Sequence, residues 1–377
     1  MKITGIIAEY NPFHNGHKYQ IQEAKKFSDS VVVIMSGSFV QRGSIAITDK
    51  WTRAKIAAEN GADLVLELPV IYSLNTAQRF AKGAVDILDK TNLINYLCFG
   101  SESGNVEELT TAAELLINEP AYVSEKIKKF IAEGISYPSA RQKAFEGLID
   151  EEILSSPNNI LALEYIKALI EIGSSIEPVT VKRYGTDYHD AFSKNGIASA
   201  SAIRNMIQNQ ENINDLTPDD SFEIYDENKL NTALIAHLRM MSEYELSCIN
   251  DVNEGLENRI KKALTQSLTI DELCENIKTK RYPMSRIRRI AFSSLLGITK
   301  EIAESNVNYI RVLAMNSTGA GILKEIKNKS TLDIITKTAD YQKNDIAFQK
   351  DILATDIFAL CCNKKIGIDY IKSPIKL

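Results

Sequence analysis

Short, unbroken apolar runs punctuate the first half of the chain, and stretches with helical spacing separate them. Ile3–Ala8 is such a run, of the length of a buried strand and too short for a core helix. His17–Phe27 then has helical spacing. Val31–Met35 reads as a second strand, ending in Ser36-Gly37-Ser38. Lys50–Asn60 is helical and stops at Gly61, a residue suited to a helix C-terminus. Leu64–Leu68 reads as a third strand closed by Pro69, Asn75–Asp89 as a helix, and Asn95–Phe99 as a fourth strand before Gly100. Apolar strands alternating with helices predict an α/β fold, a Rossmann-like parallel sheet with helices on both faces.

The rhythm changes twice. From about residue 105 to 150 helix follows helix, which predicts an insertion in the sheet domain. Pro157 then opens a further helix behind Ser155-Ser156, as expected of a cap and a first turn. Ile176–Lys182 reads as a last strand whose Pro178 points to a sheet edge, and a helix begins near Ser199. The segment Asn209–Asp219, rich in Asn, Asp and Gln, divides the chain into an expected sheet domain, 1–208, and a mainly helical domain, 209–377. In the latter Asn228–Met241, Leu256–Gln266 and Ile270–Thr279 have helical spacing, and Tyr309–Ala314 and Leu332–Ile335 are short apolar runs of strand length.

Composition narrows the class. The chain has 377 residues, 44% of them hydrophobic and 25% charged, as in ordinary globular proteins. No apolar run approaches the roughly 20 residues of a membrane helix, and no signal-peptide pattern opens the chain, so a cytoplasmic protein without a membrane partner is expected. Cys98, Cys248, Cys274, Cys361 and Cys362 lack the spacing of a zinc site and read as free thiols. The net charge of −5 disfavours nucleic acid only on average. From Arg259 to Arg289 the basic residues Arg259, Lys261, Lys262, Lys278, Lys280, Arg281, Arg286, Arg288 and Arg289 outnumber the acids Asp271, Glu272 and Glu275. The cluster Lys278–Arg289, with Tyr282 among the charges, reads either as a nucleic-acid contact or as a solvated helix face.

The candidate chemistry starts where the first strand ends, at Glu9-Tyr10-Asn11-Pro12-Phe13-His14-Asn15-Gly16-His17. Half of the four histidines crowd this turn. A helix start offers free N–H groups to phosphate, Gly16 lets the backbone approach a ligand, and His14 and His17 share a helix face. Two imidazoles there can donate to a phosphate on which charge develops. They are too few to hold a metal by themselves, and no metal ligands are assigned.

Further loops follow the other strand ends. Gln41 and Arg42, after the second strand, can reach a substrate. Gly100 lets a base or ribose come close, and Asn158 and Asn159 either read an adenine edge or cap their helix. Arg183 suits phosphate, and Asp187 or His189 suits acid–base work. In Ala198-Ser199-Ala200-Ser201-Ala202-Ile203-Arg204, Ser199 and Ser201 can cap a helix and donate to phosphate, while the fork of Arg204 can grip the outer phosphates of a nucleotide.

The His14-Asn15-Gly16-His17 element and the Ser-rich turn with Arg204 resemble the paired signatures of the nucleotidyltransferases that share an H-x-G-H motif with class I aminoacyl-tRNA synthetases. An Asp is common in those enzymes where this chain has Asn11, which removes one charge here. Asn-Pro-Phe-His-Asn-Gly-His, Met35-Ser36-Gly37 with Gln41-Arg42-Gly43, Phe99-Gly100-Ser101-Glu102, Pro157-Asn158-Asn159-Ile160-Leu161, Asp187-Tyr188-His189 and Ala198–Arg204 occur in the order found in the bacterial tRNA(Met) cytidine acetate ligase family. The chain is similar to that family through about residue 205 and on through Tyr309-Ile310-Arg311-Val312-Leu313.

The resemblance implies a ligase. Acetate would attack the α-phosphate of ATP, releasing pyrophosphate, and the acetyl group would pass to the wobble cytidine of elongator tRNA(Met) as N4-acetylcytidine. It places ATP, with Mg2+ as its normal chelate, on Ile7, Ala8, Glu9, Tyr10, Asn11, Pro12, Phe13, His14, Asn15, Gly16, His17, Lys18, Tyr19 and Gln20, and on Gly100, Asn158 and Arg183. His14, His17, Arg204 and Asp187 are the expected catalytic groups, with Ser199 and Ser201 on the phosphates. By residues alone two other readings stay open: a coenzyme-forming enzyme that adenylylates a phosphate monoester, and a non-catalytic nucleotide- or RNA-binding protein.

Overall fold

The computed structural model describes residues 1–135, 137–183, 196–219, 221–279 and 281–377. Its centre is a mainly parallel sheet. In chain order the strands are β1 (Ile3–Ala8), β2 (Ser30–Ser36), β3 (Phe39–Val40), β4 (Ser44–Ile45), β5 (Leu64–Leu68), β6 (Tyr96–Ser101), β7 (Glu177–Lys182), β8 (Tyr309–Met315), β9 (Asp333–Ile335) and β10 (Ile375–Lys376). Across the sheet they run β10-β8-β5-β2-β1-β6-β7, with β9 also paired to β8; β3 and β4 form a separate antiparallel hairpin.

β2 is buried at every residue and β1 at all but one, as strands covered on both faces must be. β7 ends the order and is mostly half-buried, so Pro178 sits on the edge strand its chemistry predicts. Between the strands lie the helices Asn15–Ala24, Lys50–Glu59 and Ala77–Lys90. Helices Val106–Ile117, Ala121–Ala132, Tyr137–Ala144 and Glu151–Ser155 make up the insertion, and Pro157–Glu171 returns the chain to β7.

Beyond residue 208 the chain is helical through Asn231–Met240, Glu243–Cys248, Leu256–Leu264, Ile270–Ile277 and Met284–Leu296. It then rejoins the sheet. β8 pairs antiparallel with β5, and β9 and β10 pair parallel with β8. The segment read from sequence as a mainly helical domain thus also completes the central sheet. β8 is buried at every residue and covers a strand edge that would otherwise offer unpaired backbone groups.

The strand order reverses at β1: β2 and β5 lie to one side, β6 and β7 to the other. A sheet of this kind opens a crevice beyond its strand C-termini at that point. Among the described residues no helix is long and apolar enough to cross a membrane.

Candidate active site

A cavity of about 610 Å³ lies at the switch point. From the end of β1 it is lined by Ile7, Ala8, Glu9, Tyr10 and Asn11, and from the helix that follows by His14, His17 and Gln20. Gly100 comes from β6, Arg183 from the end of β7, Asn158 from the Pro157–Glu171 helix, and Ser199, Ser201 and Arg204 from the Ala200–Gln208 helix and its cap. Gly16 and Tyr19 border a smaller recess beside Gly100 and Arg183.

The rest of the expected loop supports the cavity from outside its lining. Phe13 is buried and packs on Tyr10 and His17, with ring centres 4.8 and 5.6 Å apart. Asn15 donates to the carbonyls of Gly196 and Asp215 at 3.1 and 2.8 Å. That ties the first helix start to the loop preceding the Ala200–Gln208 helix. Pro12 is buried and Lys18 half-buried, neither lining the cavity. Asp187 and His189 lie outside the described residues.

The turn itself explains the two histidines. Tyr10 swings the chain off β1 at φ 48°, a backbone setting uncommon for a side-chain-bearing residue. His14 caps the next helix: its Nδ1 accepts from the Gly16 N–H at 3.1 Å, while the His14 N–H donates to His17 Nδ1 at 3.3 Å. The rings stack at 3.7 Å. With both Nδ1 atoms accepting, each neutral imidazole carries its proton on Nε2 and has that N–H to give.

Burial lowers both basicities. His14 is pushed down to about 3 by burial, then by Arg183 and Arg204. His17 is pushed well below its ordinary value by burial, then by His14 and Arg183. Both rings are therefore neutral donors at neutral pH. A depressed histidine contributes stability that is complete above its unfolded value of about 6.5 and is lost as pH falls toward the folded value. At about pH 5 His14 alone should have cost the fold about 2 kcal/mol. Denaturant midpoints should fall between neutral pH and pH 5, and fall less in His14→Gln. Equal slopes for the two proteins would contradict the assignment.

The remaining polar groups hold one another. Arg204 donates to the Asn11 carbonyl at 2.6 Å and to Ser201 Oγ at 3.1 Å, leaving its other N–H groups for a ligand. Ser199 Oγ accepts from Ala202 N at 3.1 Å and caps the helix. A Cβ on Gly100 would lie 3.1–3.2 Å from the Arg183 side chain, so glycine lets that arginine lie across β6.

The two asparagines are held in different ways. Asn159 is fully buried; its Oδ1 accepts from Glu102 N and Ser103 N, and its Nδ2 donates to the Glu152 carbonyl. Asn158 donates Nδ2 to Glu102 Oε1 at 2.6 Å. A carboxylate only accepts, so this contact fixes the amide orientation and leaves the Asn158 carbonyl oxygen able to accept a further hydrogen bond.

Arg53 is a supporting group that sequence reasoning missed. It is fully buried and donates to the carbonyls of Thr48, Glu9, Ser36 and Gly37, fastening the ends of β1 and β2 together. Its signal was a cation within the apolar, buried face formed by Trp51, Ala54 and Ala57. Phe80, Leu161 and Tyr165 were missed as apolar walls of the cavity.

Much of the expected basic contact is engaged inside the chain. Arg286 and Arg289 pair with Asp251 at 3.2 and 2.8 Å. Arg288 pairs with Glu227 and Asp271 and donates to the Gly43 carbonyl. These arginines are largely buried and wire helix Met284–Leu296 to its surroundings. Lys278 and Arg281 are exposed, yet paired with Glu275 and Glu254. A run of cations in sequence says nothing about the acids that fold against it. Among the described residues no group of three or more His, Cys, Asp or Glu side chains is placed to hold a metal ion.

This architecture matches known proteins over its whole length. A family model described as HIGH Nucleotidyl Transferase matches residues 1–370. A protein of Thermoanaerobacter sp. (strain X514) named tRNA(Met) cytidine acetate ligase is 44% identical, covering all of both chains. One of the same name from Clostridium perfringens is 40% identical over all of this chain and 99% of its own. The crystal structure of Thermotoga maritima TmcAL bound with alpha-thio ATP superposes with a TM-score of 0.91 at 32% identity, again over both full chains.

Proposed function

The chain belongs to the tRNA(Met) cytidine acetate ligase family of HIGH nucleotidyl transferases, and from that premise we propose that it activates acetate with ATP and transfers the acetyl group to the wobble cytidine of elongator tRNA(Met). The observation that carries the chemistry is the neutral His14–His17 pair, each Nδ1 tied to backbone, at the end of β1 in a cavity ringed by Arg183 and Arg204.

ATP enters as its Mg2+ chelate. Its adenine lies by Gly100, with the exocyclic amine toward the Asn158 carbonyl oxygen. The β- and γ-phosphates lie at the Ala200–Gln208 helix start, where Ser199, Ser201 and Arg204 donate. The α-phosphate faces the Nε2–H groups of His14 and His17. An acetate oxygen bonds to the α-phosphorus as the bond to the bridging oxygen breaks, giving acetyl-adenylate and pyrophosphate. Charge builds on the α-phosphate oxygens during attack, and fixed neutral donors stabilise it without reorganising. The cytidine amine then attacks the acetyl carbon and AMP leaves. The surface that receives the tRNA includes charges other than Arg286, Arg288 and Arg289, whose partners are internal.

Purified protein should exchange labelled pyrophosphate into ATP only when acetate is present. With elongator tRNA(Met) it should add one acetyl mass to the wobble cytidine. Exchange that instead requires a phosphate monoester would replace this reading with coenzyme synthesis.

A further inference from the structure

The β3–β4 hairpin reaches the cavity rim, and its backbone is fastened from several sides. Glu9 Oε1 accepts from Gln41 N at 2.8 Å, and Gln41 Nε2 donates to the Asn75 carbonyl at 3.2 Å. Ser73 Oγ donates to the Phe39 carbonyl at 3.0 Å, and Glu227 accepts from Ile45 N at 2.9 Å. Arg288 Nε donates to the Gly43 carbonyl at 2.8 Å. Gly43 sits at φ 77°, where a Cβ would strike Arg288 and Arg289. The helical segment beyond residue 208 therefore holds this hairpin from behind.

The Arg42 side chain is the exception. It is exposed, lines the cavity, and has no hydrogen bond or ion pair among the described residues. A guanidinium presented by a fixed loop, with no acid paired to it among the described residues, is suited to receive an anion. On the reading above, the nucleotide is assigned to Gly100, Asn158 and Arg183 on the β6–β7 side and to Ser199, Ser201 and Arg204 at the second helix, the last of which feels the Arg42 charge. Arg42 comes from the β2 side, across β1. Phe80, one turn into the helix whose lead-in residue Asn75 holds Gln41, adds an apolar wall to the same cavity.

Resting on the ligase reading above, we propose that Arg42 binds the carboxylate substrate. Its fork keeps hold of one carboxylate oxygen while the other attacks the α-phosphorus, and Phe80 faces the short acyl chain. No other group changes its bonding: the new bond is carboxylate oxygen to phosphorus, and pyrophosphate leaves with the electron pair of the broken one.

The test uses full-length protein, wild type, Arg42→Gln and Arg42→Lys. In acetate-dependent exchange Arg42→Gln should raise the KM for acetate about 10- to 100-fold, as loss of a charged hydrogen-bonded contact does. The KM for ATP and the affinity for tRNA should stay within about twofold. Arg42→Lys, which keeps the charge and loses the fork, should fall between. Calorimetric titration of acetate into the complex with a non-hydrolysable ATP analogue reads the subsite without turnover, so it decides the point even if the ligase reading fails. Acetate binding to wild type that vanishes in Arg42→Gln supports the proposal. A parallel rise in the KM for ATP would assign Arg42 to the phosphates. Weakened tRNA with unchanged acetate would assign it to RNA. Either result, an unchanged KM for acetate, or no acetate binding by wild type overturns the proposal.

Discussion

Replacing His14 with alanine should lower acetate-dependent ATP–pyrophosphate exchange by about 100- to 1,000-fold, the range for removing one fixed donor from a developing oxyanion. Two effects combine in this side chain. Its Nδ1 accepts from Gly16 N and so sets the helix start, and its ring stacks on His17 at 3.7 Å and holds that imidazole in place. Losing a cap costs about 1 kcal/mol of stability, so inactivity of the alanine variant could reflect a loosened turn. His14→Asn separates the two. Asparagine is a good cap and can accept from Gly16 N, but it does not place a donor at the Nε2 position. A folded His14→Asn protein with exchange still reduced by about 100-fold assigns the loss to the missing N–H. Restored exchange would make His14 a structural cap alone.

Lys50→Met should be the most destabilising single change, by about 3–5 kcal/mol. Lys50 is fully buried and pairs with Glu67 at 2.8 Å and with Asp369 at 3.0 Å. Arg311 completes a closed set, reaching Glu67 at 3.4 Å and Asp369 at 2.5 Å. All four side chains are under 5% exposed. Two cations thus balance two anions away from water, joining a helix near the start of the chain, two adjacent strands and the Ile368–Ile371 helix near its end. Removing one cation leaves two carboxylates sharing the other, and a buried unpaired charge is far more costly than the pair was stabilising. Denaturant midpoints read the loss. The double variant Lys50→Met, Asp369→Asn should recover part of it, since the excess charge is removed with its partner. A single-variant loss below about 1 kcal/mol would mean that water reaches the cluster.

Much of the sheet was legible. Ile3–Ala8 and Leu64–Leu68 end where the sequence puts them, because a buried strand is an apolar run bounded by turn formers. Pro178 marked an edge strand, since it removes a ladder donor. Pro157 marked a helix start. The turn from Glu9 to His17 was legible because strand end, glycine and paired histidines are neighbours in sequence, so their geometry is local.

The sequence by itself determined the strand–helix alternation, a helix start beside His14 and His17 and another at Ser199, and the residue types that can meet a phosphate. Tertiary structure decided what each distant partner does. It placed β8 against β5, set Glu102 against both Asn158 and Asn159, and buried Arg53 under the ends of two strands. It also spent Arg286, Arg288 and Arg289 on internal acids while leaving Arg42 at the cavity without a partner among the described residues. The reason is range. Periodicity and capping act over a few residues and are written in the local order. Whether a charge is paired, buried or free depends on which segment folds against it, and that is fixed only when the sheet closes.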